Sequence, residues 1–384
     1  MKKSLKGSLF PSNAASLWLL FFLMFWSNFN AQGQLILNPF KPLAEDTLPK
    51  AKREGLLLLP LLYYTPDTRF AAGAMGVYYF HLGADNSATR LSYIKLLADY
   101  TQNKQLDLWS SWNVFTEGER YLFKGELRFR NFPDRFYGIG NNSLKENEER
   151  FEYKLFSMKF LALRKFAKSW FLGMNFNIEK EFDFERSIDG QLNNGNITGY
   201  DGGLAIGPGI VSVFDTRDNV INAQKGMYLE VNAFWNLPFL GGTFDYGRMQ
   251  IEFNRYFPMA RKTTLAWNTR AIFSTGEVPF LDMPRLGSDQ ILRGYPSYRY
   301  RDKNFMATQL EYRFPVYKRF GMTVFSGLGE VFSQEIPLEV NRIKYSYGVG
   351  FRYMADASEK LNIRFDLGFG ENSYGFYILL TEAF

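Results

Sequence analysis

Short segments in which apolar and polar side chains alternate recur along most of this sequence. One of them, 361–369, places leucine, isoleucine and phenylalanine at the odd positions and Asn362, Arg364, Asp366 and Gly368 at the even ones. The stretches 121–131, 227–235 and 246–257 repeat the alternation. Alternate side chains of a β-strand point to opposite faces, and about nine to eleven residues suffice for a tilted strand to span a bilayer. The pattern therefore predicts membrane-spanning strands with one lipid-facing and one lumen-facing side.

Sixteen such segments can be marked, and the fold class they predict is all-β, a 16-stranded antiparallel transmembrane β-barrel. Barrels of this kind have short periplasmic turns and longer outer loops. If the chain starts in the periplasm, the long connections all follow odd-numbered strands, whereas the connections after even-numbered strands are short apart from 215–225. The predicted strands are 55–64, 70–80, 90–100, 106–115, 121–130, 151–163, 169–180, 202–214, 226–236, 243–256, 263–273, 304–314, 320–330, 343–353, 361–369 and 374–384.

The composition fits a barrel better than a soluble or a helical membrane protein. Aromatic residues make up 18% of the chain, although its mean hydropathy is only −0.24. A barrel combines these values because it alternates apolar and polar residues and carries aromatic girdles. After the N-terminal region, the sequence has no apolar run of the length that a helical span needs. The chain has no cysteine, which excludes disulfides and thiolate metal sites.

The N-terminus is typical of a secretion signal. Three lysines precede the apolar run 17–26, and small residues follow it around Ala31. We predict a signal peptide at 1–31, a short periplasmic segment at 32–54 and the barrel at 55–384. The alternative is an uncleaved anchor, for which ten apolar residues are too few to form a helical span. Cleavage lowers the formal charge from +6 to +3, and a charge this small argues against nucleic acid as a partner.

The last predicted strand carries a possible targeting pattern. Gly375, Ile378 and Leu380 alternate toward a terminal aromatic residue, Phe384. This pattern resembles the C-terminal signal by which the outer-membrane assembly machinery recognises barrel substrates during biogenesis. An apolar closing strand can pair edge-on with another sheet before the barrel closes. The alternative is an ordinary lipid-facing strand, which would also be apolar.

The connection between the eleventh and twelfth predicted strands is unusual for an outer loop. Glycine and proline punctuate it, and the apolar pair Ile291 and Leu292 stands directly before Arg293. A loop that stayed in solvent would gain nothing from this arrangement. Inside the lumen, however, Arg293 could form charge-assisted hydrogen bonds with a carboxylate. The sequence therefore predicts that this loop folds into the barrel.

Leu292, Arg293, Gly294 and Tyr295 match the (V/L)RG(F/Y) loop motif of the outer-membrane assembly factor superfamily. This superfamily includes BamA, TamA, the two-partner-secretion transporters and the bacterial surface antigen barrels, and it carries the motif between the same two strands. The stretches 309–315 and 214–219 also resemble its sequence blocks. The resemblance covers about residues 55 to 384. It implies a barrel with a mobile seam between its first and last strands, used to insert or translocate other proteins.

Two features depart from that family. Relatives carry periplasmic POTRA domains before the barrel, and the predicted segment 32–54 is too short for one, so we expect a short form without them. Relatives also bind the loop arginine with an Asp in a Phe-x-Asp-x-Gly pattern, but here Gly327 replaces the Asp in the stretch 325–329. We therefore expect Arg293 to pair with a lumen carboxylate of another strand, Glu311 in preference to Asp366.

Four glycines of the predicted lumen face bear on this expectation. By period-two phasing, Gly327 and Gly329 share that face with Gly348 and Gly350, which opens room for an inserted loop. The alternative is that these glycines only ease the curvature of the barrel.

The sequence does not favour an enzyme. Its one histidine, His81, stands near no Ser or Cys nucleophile pattern, and we predict no catalytic residue, cofactor or metal site. Three functions stay open: an assembly or translocation factor, a passive pore, and a structural subunit of an outer-membrane complex. The expected partners are outer-membrane lipid, the assembly machinery, and a periplasmic or outer-membrane protein or a second copy of the chain.

Overall fold

A computed structural model describes residues 54–65, 69–83, 89–194, 196–259, 262–297, 299–357 and 360–384. The predicted signal peptide, 1–31, lies outside these described residues. So does the predicted segment 32–54, except for Glu54, which begins the first strand.

The described residues form one antiparallel sheet of sixteen strands, and each strand pairs with the next one along the chain. This topology confirms the predicted fold class and the predicted number of strands. The strands are β1 Glu54–Thr65, β2 Arg69–Phe80, β3 Ser92–Thr101, β4 Leu106–Phe115, β5 Tyr121–Phe136, β6 Glu149–Ala167, β7 Trp170–Arg186, β8 Gly203–Asp215, β9 Gly226–Asn236, β10 Tyr246–Pro258, β11 Thr264–Gly276, β12 Asn304–Tyr317, β13 Phe320–Phe332, β14 Lys344–Asp356, β15 Leu361–Gly370 and β16 Ser373–Leu380.

Helical structure in the described part of the chain is limited to short 3₁₀ turns. They are Glu117–Glu119, Lys145–Asn147, Gln191–Asn194, Pro238–Leu240 and Val340–Arg342. No helix among the described residues is long and apolar enough to cross a membrane.

The two faces of the sheet differ in exposure as the alternation predicts. In β14, Tyr347 and Val349 are 53% and 45% exposed, whereas Gly348 and Gly350 between them are buried. The exposed positions of most strands are apolar or aromatic, as a lipid-facing surface requires. The buried positions include many polar and charged side chains, so the inner face is the polar one.

The first and last strands form the two edges of the sheet. Among the described residues, no backbone ladder pairs β1 with β16. Apolar side chains bring the two edges together instead, because Leu59 of β1 and Leu380 of β16 lie in one buried cluster with Met75 and Val77. We call this junction the seam.

Strands β5 to β7 are longer than predicted. Their added residues, 131–136, 149–150 and 181–186, shorten the two loops that the sequence indicated at 131–150 and 181–201. Aromatic side chains explain the extension, because the rings of Phe151, Tyr153 and Phe184 stack on one another across β6 and β7. Phe280 packs into the same cluster from the connection after β11.

The last strand is shorter than predicted and ends at Leu380. Ile378 is exposed on the outer face, but Leu380 packs inside the barrel, so the predicted alternation does not continue to the C-terminus. Thr381 has a φ of 73°, which turns the chain out of the strand. The residues after it bend inward, where Glu382 accepts hydrogen bonds from Arg352 and Asn362 at 2.8 Å and 2.6 Å.

The connection 216–225 between β8 and β9 lies across one end of the barrel. Asp218 accepts hydrogen bonds from the backbone N–H groups of Gln224 and Lys225 and so closes the turn on itself. Ile221 then packs with Tyr79 and Leu361, which belong to distant strands. The connection is longer than a simple hairpin turn because it folds inward, where Ile221 reaches these strands. The end of the barrel that this connection crosses is called the turn end. The opposite end, where the odd-numbered strands finish, is called the loop end.

Candidate functional site: an arginine-anchored inner loop

Residues 277–303, between β11 and β12, fold into the barrel and are called the inner loop below. Its residues Ile291, Leu292 and Tyr295 are buried in one apolar cluster with Phe305 and Val331 of the strands. Burial of apolar surface is favourable by about 25 cal/mol per Å². The apolar pair that precedes Arg293 therefore holds the tip of the inner loop against the barrel wall.

The tip of the inner loop is a tight turn with unusual backbone angles. Gly287 and Gly294 have φ values of 92° and 112°, where a side chain would be strained. Leu292 also has a positive φ, 52°, which costs about 1–3 kcal/mol for a residue with a side chain. Because Leu292 is fully buried, its packing offsets this cost. The Ser288 hydroxyl accepts hydrogen bonds from the backbone N–H groups of the two residues at 290 and 291, which stabilises the turn.

Arg293 is fully buried and contacts two carboxylates. Its Nη1 donates to Oδ2 of Asp366 at 2.5 Å, and its Nη2 donates to Oε2 of Glu311 at 2.5 Å. The ring of Phe325 lies below the guanidinium, 3.5 Å from Cζ to the ring centroid, in a cation–π contact. The sequence led us to expect one of these carboxylates, and the structure gives Arg293 both. Gly327, where the resemblance led us to look for an Asp, offers no carboxylate, and Glu311 and Asp366 bind Arg293 instead.

The two carboxylates belong to a larger ionic network. Glu311 also accepts from Nε of Arg313 at 2.7 Å, and Asp366 accepts from Arg352 and Arg364 at 2.5 Å and 3.0 Å. Four arginines thus meet four carboxylates, so the formal charges cancel. We call this group the arginine anchor; its members are Arg293, Arg313, Arg352, Arg364, Asp289, Glu311, Asp366 and Glu382.

Glycines on β15 let the inner loop lie directly on the strand. A Cβ at Gly368 would lie 2.6 Å from the carbonyl carbon of Arg293, and one at Gly370 would lie 2.6 Å from the ring of Tyr295. Conversely, a Cβ at Gly294 would lie 2.6 Å from backbone atoms of β15. Contacts under 3.0 Å leave no room for a side chain at any of these three positions. They are part of the site, and sequence reasoning did not select Gly368 or Gly370.

The four glycines that the sequence did select divide into two pairs. A Cβ at Gly327 or Gly329 would lie 3.2 Å or 2.7 Å from the side chain of Leu292, so this pair accommodates the inner loop. Gly348 and Gly350 face strand side chains instead, including members of the arginine anchor. Only the first pair makes room for the loop directly.

Two tyrosines hold the motif from outside the arginine anchor. The Tyr295 hydroxyl donates to the carbonyl of Tyr345 and accepts from the N–H of Glu371, both at 2.9 Å, and burial raises the pKa of Tyr295 to about 12. The backbone N–H of Gly294 donates to the hydroxyl of Tyr377 at 3.0 Å. Because Tyr377 lies on β16, the motif contacts the strand that borders the seam.

Some members of the arginine anchor were not found from the sequence. Buried positions of β12, β14 and β15 hold Arg313, Arg352 and Arg364. The sequence could have indicated them, because an arginine recurs at lumen-facing positions of these strands. Glu382 had no such signal, because the sequence assigned it to a regular strand.

The first half of the inner loop contacts the opposite wall. Nη1 of Arg285 pairs with Asp134 of β5 at 2.9 Å, and the backbone carbonyl of Asp282 accepts from Arg248 of β10 at 2.7 Å. The rings of Phe280 and Phe136 meet edge to face with their centroids 5.5 Å apart. The inner loop therefore bridges the lumen from β5 to the strands β12 to β16.

Residues 209–384 match the sequence profile of the Omp85 superfamily domain. This segment is an Omp85 superfamily domain. It confirms the family resemblance that the motif at Leu292–Tyr295 indicated. The arginine anchor lies entirely within the Omp85 domain. The chain is accordingly a β-barrel protein of the bacterial outer membrane.

Solved structures share the fold of the Omp85 domain and of the strands before it. One is BamA from Haemophilus ducreyi lacking POTRA domains 1–3, with a TM-score of 0.54, 12% identity, and coverage of 86% of this chain and 70% of that one. Another is CdiB from Acinetobacter baumannii, with a TM-score of 0.55, 9% identity, and coverage of 85% and 59%. No curated protein matches the chain significantly. The likeness to these structures concerns the barrel fold.

Proposed function

We propose that this barrel assists the assembly or translocation of proteins at the outer membrane, through its seam and the inner loop locked beside it. The observation that carries the proposal is the position of the motif. Arg293 is fixed to β12 and β15 by ion pairs, and the next residue, Gly294, donates a hydrogen bond to Tyr377 on β16. The inner loop thus fixes the last strand to its neighbours.

The seam itself offers little resistance to opening. Without a backbone ladder between β1 and β16 in the described residues, the edges are held by apolar contacts such as that of Leu59 with Leu380. An unpaired strand edge is a template for another strand, because its N–H and C=O groups lack partners in the sheet. A client strand could therefore pair with an edge while the inner loop keeps the rest of the barrel in register.

The passive pore has less support. The inner loop crosses the lumen at the loop end, and Ile221 of the connection 216–225 packs with Tyr79 of β2 and Leu361 of β15 at the turn end. A barrel occupied in this way should give low and fluctuating conductance in a planar bilayer, whereas a porin conducts steadily. We propose a non-enzymatic role, consistent with the absence of a nucleophile pattern near His81 in the sequence.

Depletion and complementation test the proposal. When the protein is depleted, we expect other barrel proteins to decline in the outer membrane, and wild-type protein to restore them. Arg293→Gln should restore them poorly, because it removes the cation by which the inner loop is bound to Glu311 and Asp366. Arg299→Gln is the matched control, because Arg299 lies in the same loop and, among the described residues, donates to the carbonyl of Ser143 and to no carboxylate.

Unchanged client levels on depletion would contradict the proposal, as would full complementation by Arg293→Gln at normal abundance. The loss of one particular neighbouring protein, with all other barrels unaffected, would instead support a structural subunit of an outer-membrane complex. Co-purification from intact outer membranes would identify such a periplasmic or outer-membrane partner.

A further inference from the structure

Three carboxylates from distant parts of the chain meet near the loop end of the barrel. Glu179 and Glu181 are two residues apart on β7, so both point to the same face of the sheet. Asp282 approaches them from the first half of the inner loop. One oxygen from each of the three side chains lies within 4.8 Å of the others. We call this group the acidic anchor.

A buried atom without a partner points to a ligand in the acidic anchor. Glu181 is 4% exposed, and its Oε1 is buried with no hydrogen-bond partner among the described residues. A buried carboxylate oxygen that is left unsatisfied is costly, and like charges so close to it add to that cost. Something that accepts electron pairs from carboxylate oxygens would remove both penalties.

The basic side chains near the acidic anchor do not supply this partner. In the described part of the chain, Glu179, Glu181 and Asp282 form no ion pair within 4.0 Å. Arg248 donates to the Ser274 hydroxyl and to the backbone carbonyl of Asp282, not to its carboxylate.

Two further arginines near the acidic anchor are directed elsewhere. Arg285 pairs with Asp134, and Arg301 donates to the carbonyls of Phe280 and Arg135. Lys159 of β6, a further cation whose charge acts on Glu179, forms no ion pair with it within 4.0 Å among the described residues.

We propose that Glu179, Glu181 and Asp282 form a Ca²⁺ site that fastens the inner loop to β7. Ca²⁺ takes about six to eight oxygen ligands in flexible geometry, and three carboxylates can supply up to six oxygens. The absence of nitrogen and sulfur ligands from this group of three disfavours zinc and other transition metals. Mg²⁺ keeps several of its waters and usually needs only one or two carboxylates.

The surroundings orient the carboxylates as an outer coordination shell does. The Tyr246 hydroxyl donates to Oδ2 of Asp282, and the Ser157 hydroxyl donates to Oε2 of Glu179 at 3.4 Å. Hydrogen bonds of this kind fix metal-ligating carboxylates in place. The Ca²⁺ would link β7 to the inner loop on the wall opposite the arginine anchor. This proposal does not rest on the proposed function.

Terbium luminescence tests the site on the full-length protein in detergent. Tb³⁺ replaces Ca²⁺ in oxygen sites, and the ring of Tyr246 is close enough to sensitise it, because its hydroxyl bonds to Asp282. We expect a saturable luminescence signal from bound Tb³⁺. Ca²⁺ should displace the Tb³⁺ with a Kd of about 10⁻⁴ to 10⁻³ M. Glu181→Gln and Asp282→Asn should weaken binding by about tenfold or more. Glu185→Gln, at an exposed position of the same strand, should leave it unchanged.

A second measurement is independent of luminescence. Ca²⁺ should raise the temperature at which the wild-type barrel loses its folded mobility on a gel, relative to the same protein in EDTA, and should not do so for Glu181→Gln. The proposal is overturned if no saturable signal appears, if Glu181→Gln binds as wild type does, or if Mg²⁺ displaces Tb³⁺ as well as Ca²⁺ does. A barrel that responds to pH but not to Ca²⁺ would also overturn it, because the carboxylates would then share a proton.

Discussion

The inner loop is attached to the barrel at two places that solve the same electrostatic problem differently. In the arginine anchor, Arg293 lies between Glu311 and Asp366, with a guanidinium nitrogen 2.5 Å from an oxygen of each. In the acidic anchor, Asp282 lies against Glu179 and Glu181, and no basic side chain of the described residues forms an ion pair with them. Arg293, Glu311 and Asp366 are buried, and in the acidic anchor Glu181 is buried while Glu179 and Asp282 are half-buried, so a charge on a buried member of either group is costly without a partner.

This difference indicates which attachment is made by the chain alone. The arginine anchor has its full complement of opposite charges, and the removal of one member leaves one uncompensated charge among the others, which costs about 3–5 kcal/mol. The removal of one acid from the acidic anchor relieves repulsion. Substitutions at the arginine anchor should therefore lower the free energy of unfolding by much more than substitutions at the acidic anchor. At the acidic anchor a substitution should even raise it.

The largest effect is expected for Arg293→Glu. It places a third carboxylate between Glu311 and Asp366 where a cation stood, at a cost of at least about 3–5 kcal/mol. We expect the barrel to assemble poorly and to lose its heat-modifiable mobility on a gel. Arg299→Glu, in the same loop, is the control. An Arg293→Glu barrel that assembles normally and keeps that mobility would show that the loop is not locked by this residue.

Asp366→Asn should have the next largest effect. The carboxylate of Asp366 accepts hydrogen bonds from Arg293, Arg352 and Arg364, and an amide of the same shape leaves an excess of buried positive charge. We expect a loss of about 3 kcal/mol in the free energy of unfolding, measured by denaturant titration in detergent. A smaller loss in the free energy of unfolding than that of Tyr377→Phe, which removes a single hydrogen bond, would contradict this order of effects.

Much of the arginine anchor could be predicted from the sequence, for a physical reason. Period-two alternation fixes which side chains of a strand share a face, so the positions of Glu311 and Asp366 within their strands were enough to predict two lumen carboxylates. Gly368 belongs to the same alternation, but only the position of the loop backbone shows that a side chain there is excluded. Glu382 was missed because Thr381, at a positive φ, turns the chain out of the strand, and no local pattern announced this.

The acidic anchor could not be found in the same way. Glu179 and Glu181 are visible as a pair on one strand, but paired acids in a barrel wall are common in ion-pair networks. What distinguishes them is the approach of Asp282 from a loop that crosses the lumen. That approach depends on the packing of Phe280 with Phe136, a tertiary contact between segments far apart in sequence.

Gly294→Ala tests the close packing of the inner loop on β15. The added methyl group would lie 2.6 Å from backbone atoms of β15, at a φ of 112° that disfavours any side chain. We expect a loss of about 2 kcal/mol in the free energy of unfolding. Gly241→Ala is a matched control, because Gly241 has a φ of 91° with no described atom within 4 Å of the added methyl. Equal losses for the two variants would show that backbone strain alone is responsible.

Tyr377→Phe removes the hydrogen bond between the inner loop and β16. The Tyr377 hydroxyl accepts from the N–H of Gly294 at 3.0 Å, and its loss should cost about 1 kcal/mol. If this bond restrains the seam, hydrogen exchange should rise in β16 and not in β14. Tyr374→Phe, at an exposed position of the same strand, is the control. Equal hydrogen exchange in β16 of the wild type and of Tyr377→Phe would show that this hydrogen bond does not restrain the seam.

The smallest effect is expected for Asp282→Asn in EDTA, and it decides whether the two anchors truly differ. The amide keeps an oxygen that can accept from the Tyr246 hydroxyl, and it removes one of three crowded negative charges. The free energy of unfolding should change by less than about 0.5 kcal/mol, or rise. Asp366→Asn, measured under the same conditions, is the comparison, because it is the same chemical change at the other anchor. If both substitutions cost about 3 kcal/mol, Asp282 has a cationic partner within the chain, and the acidic anchor is a second ionic network of the same kind as the first.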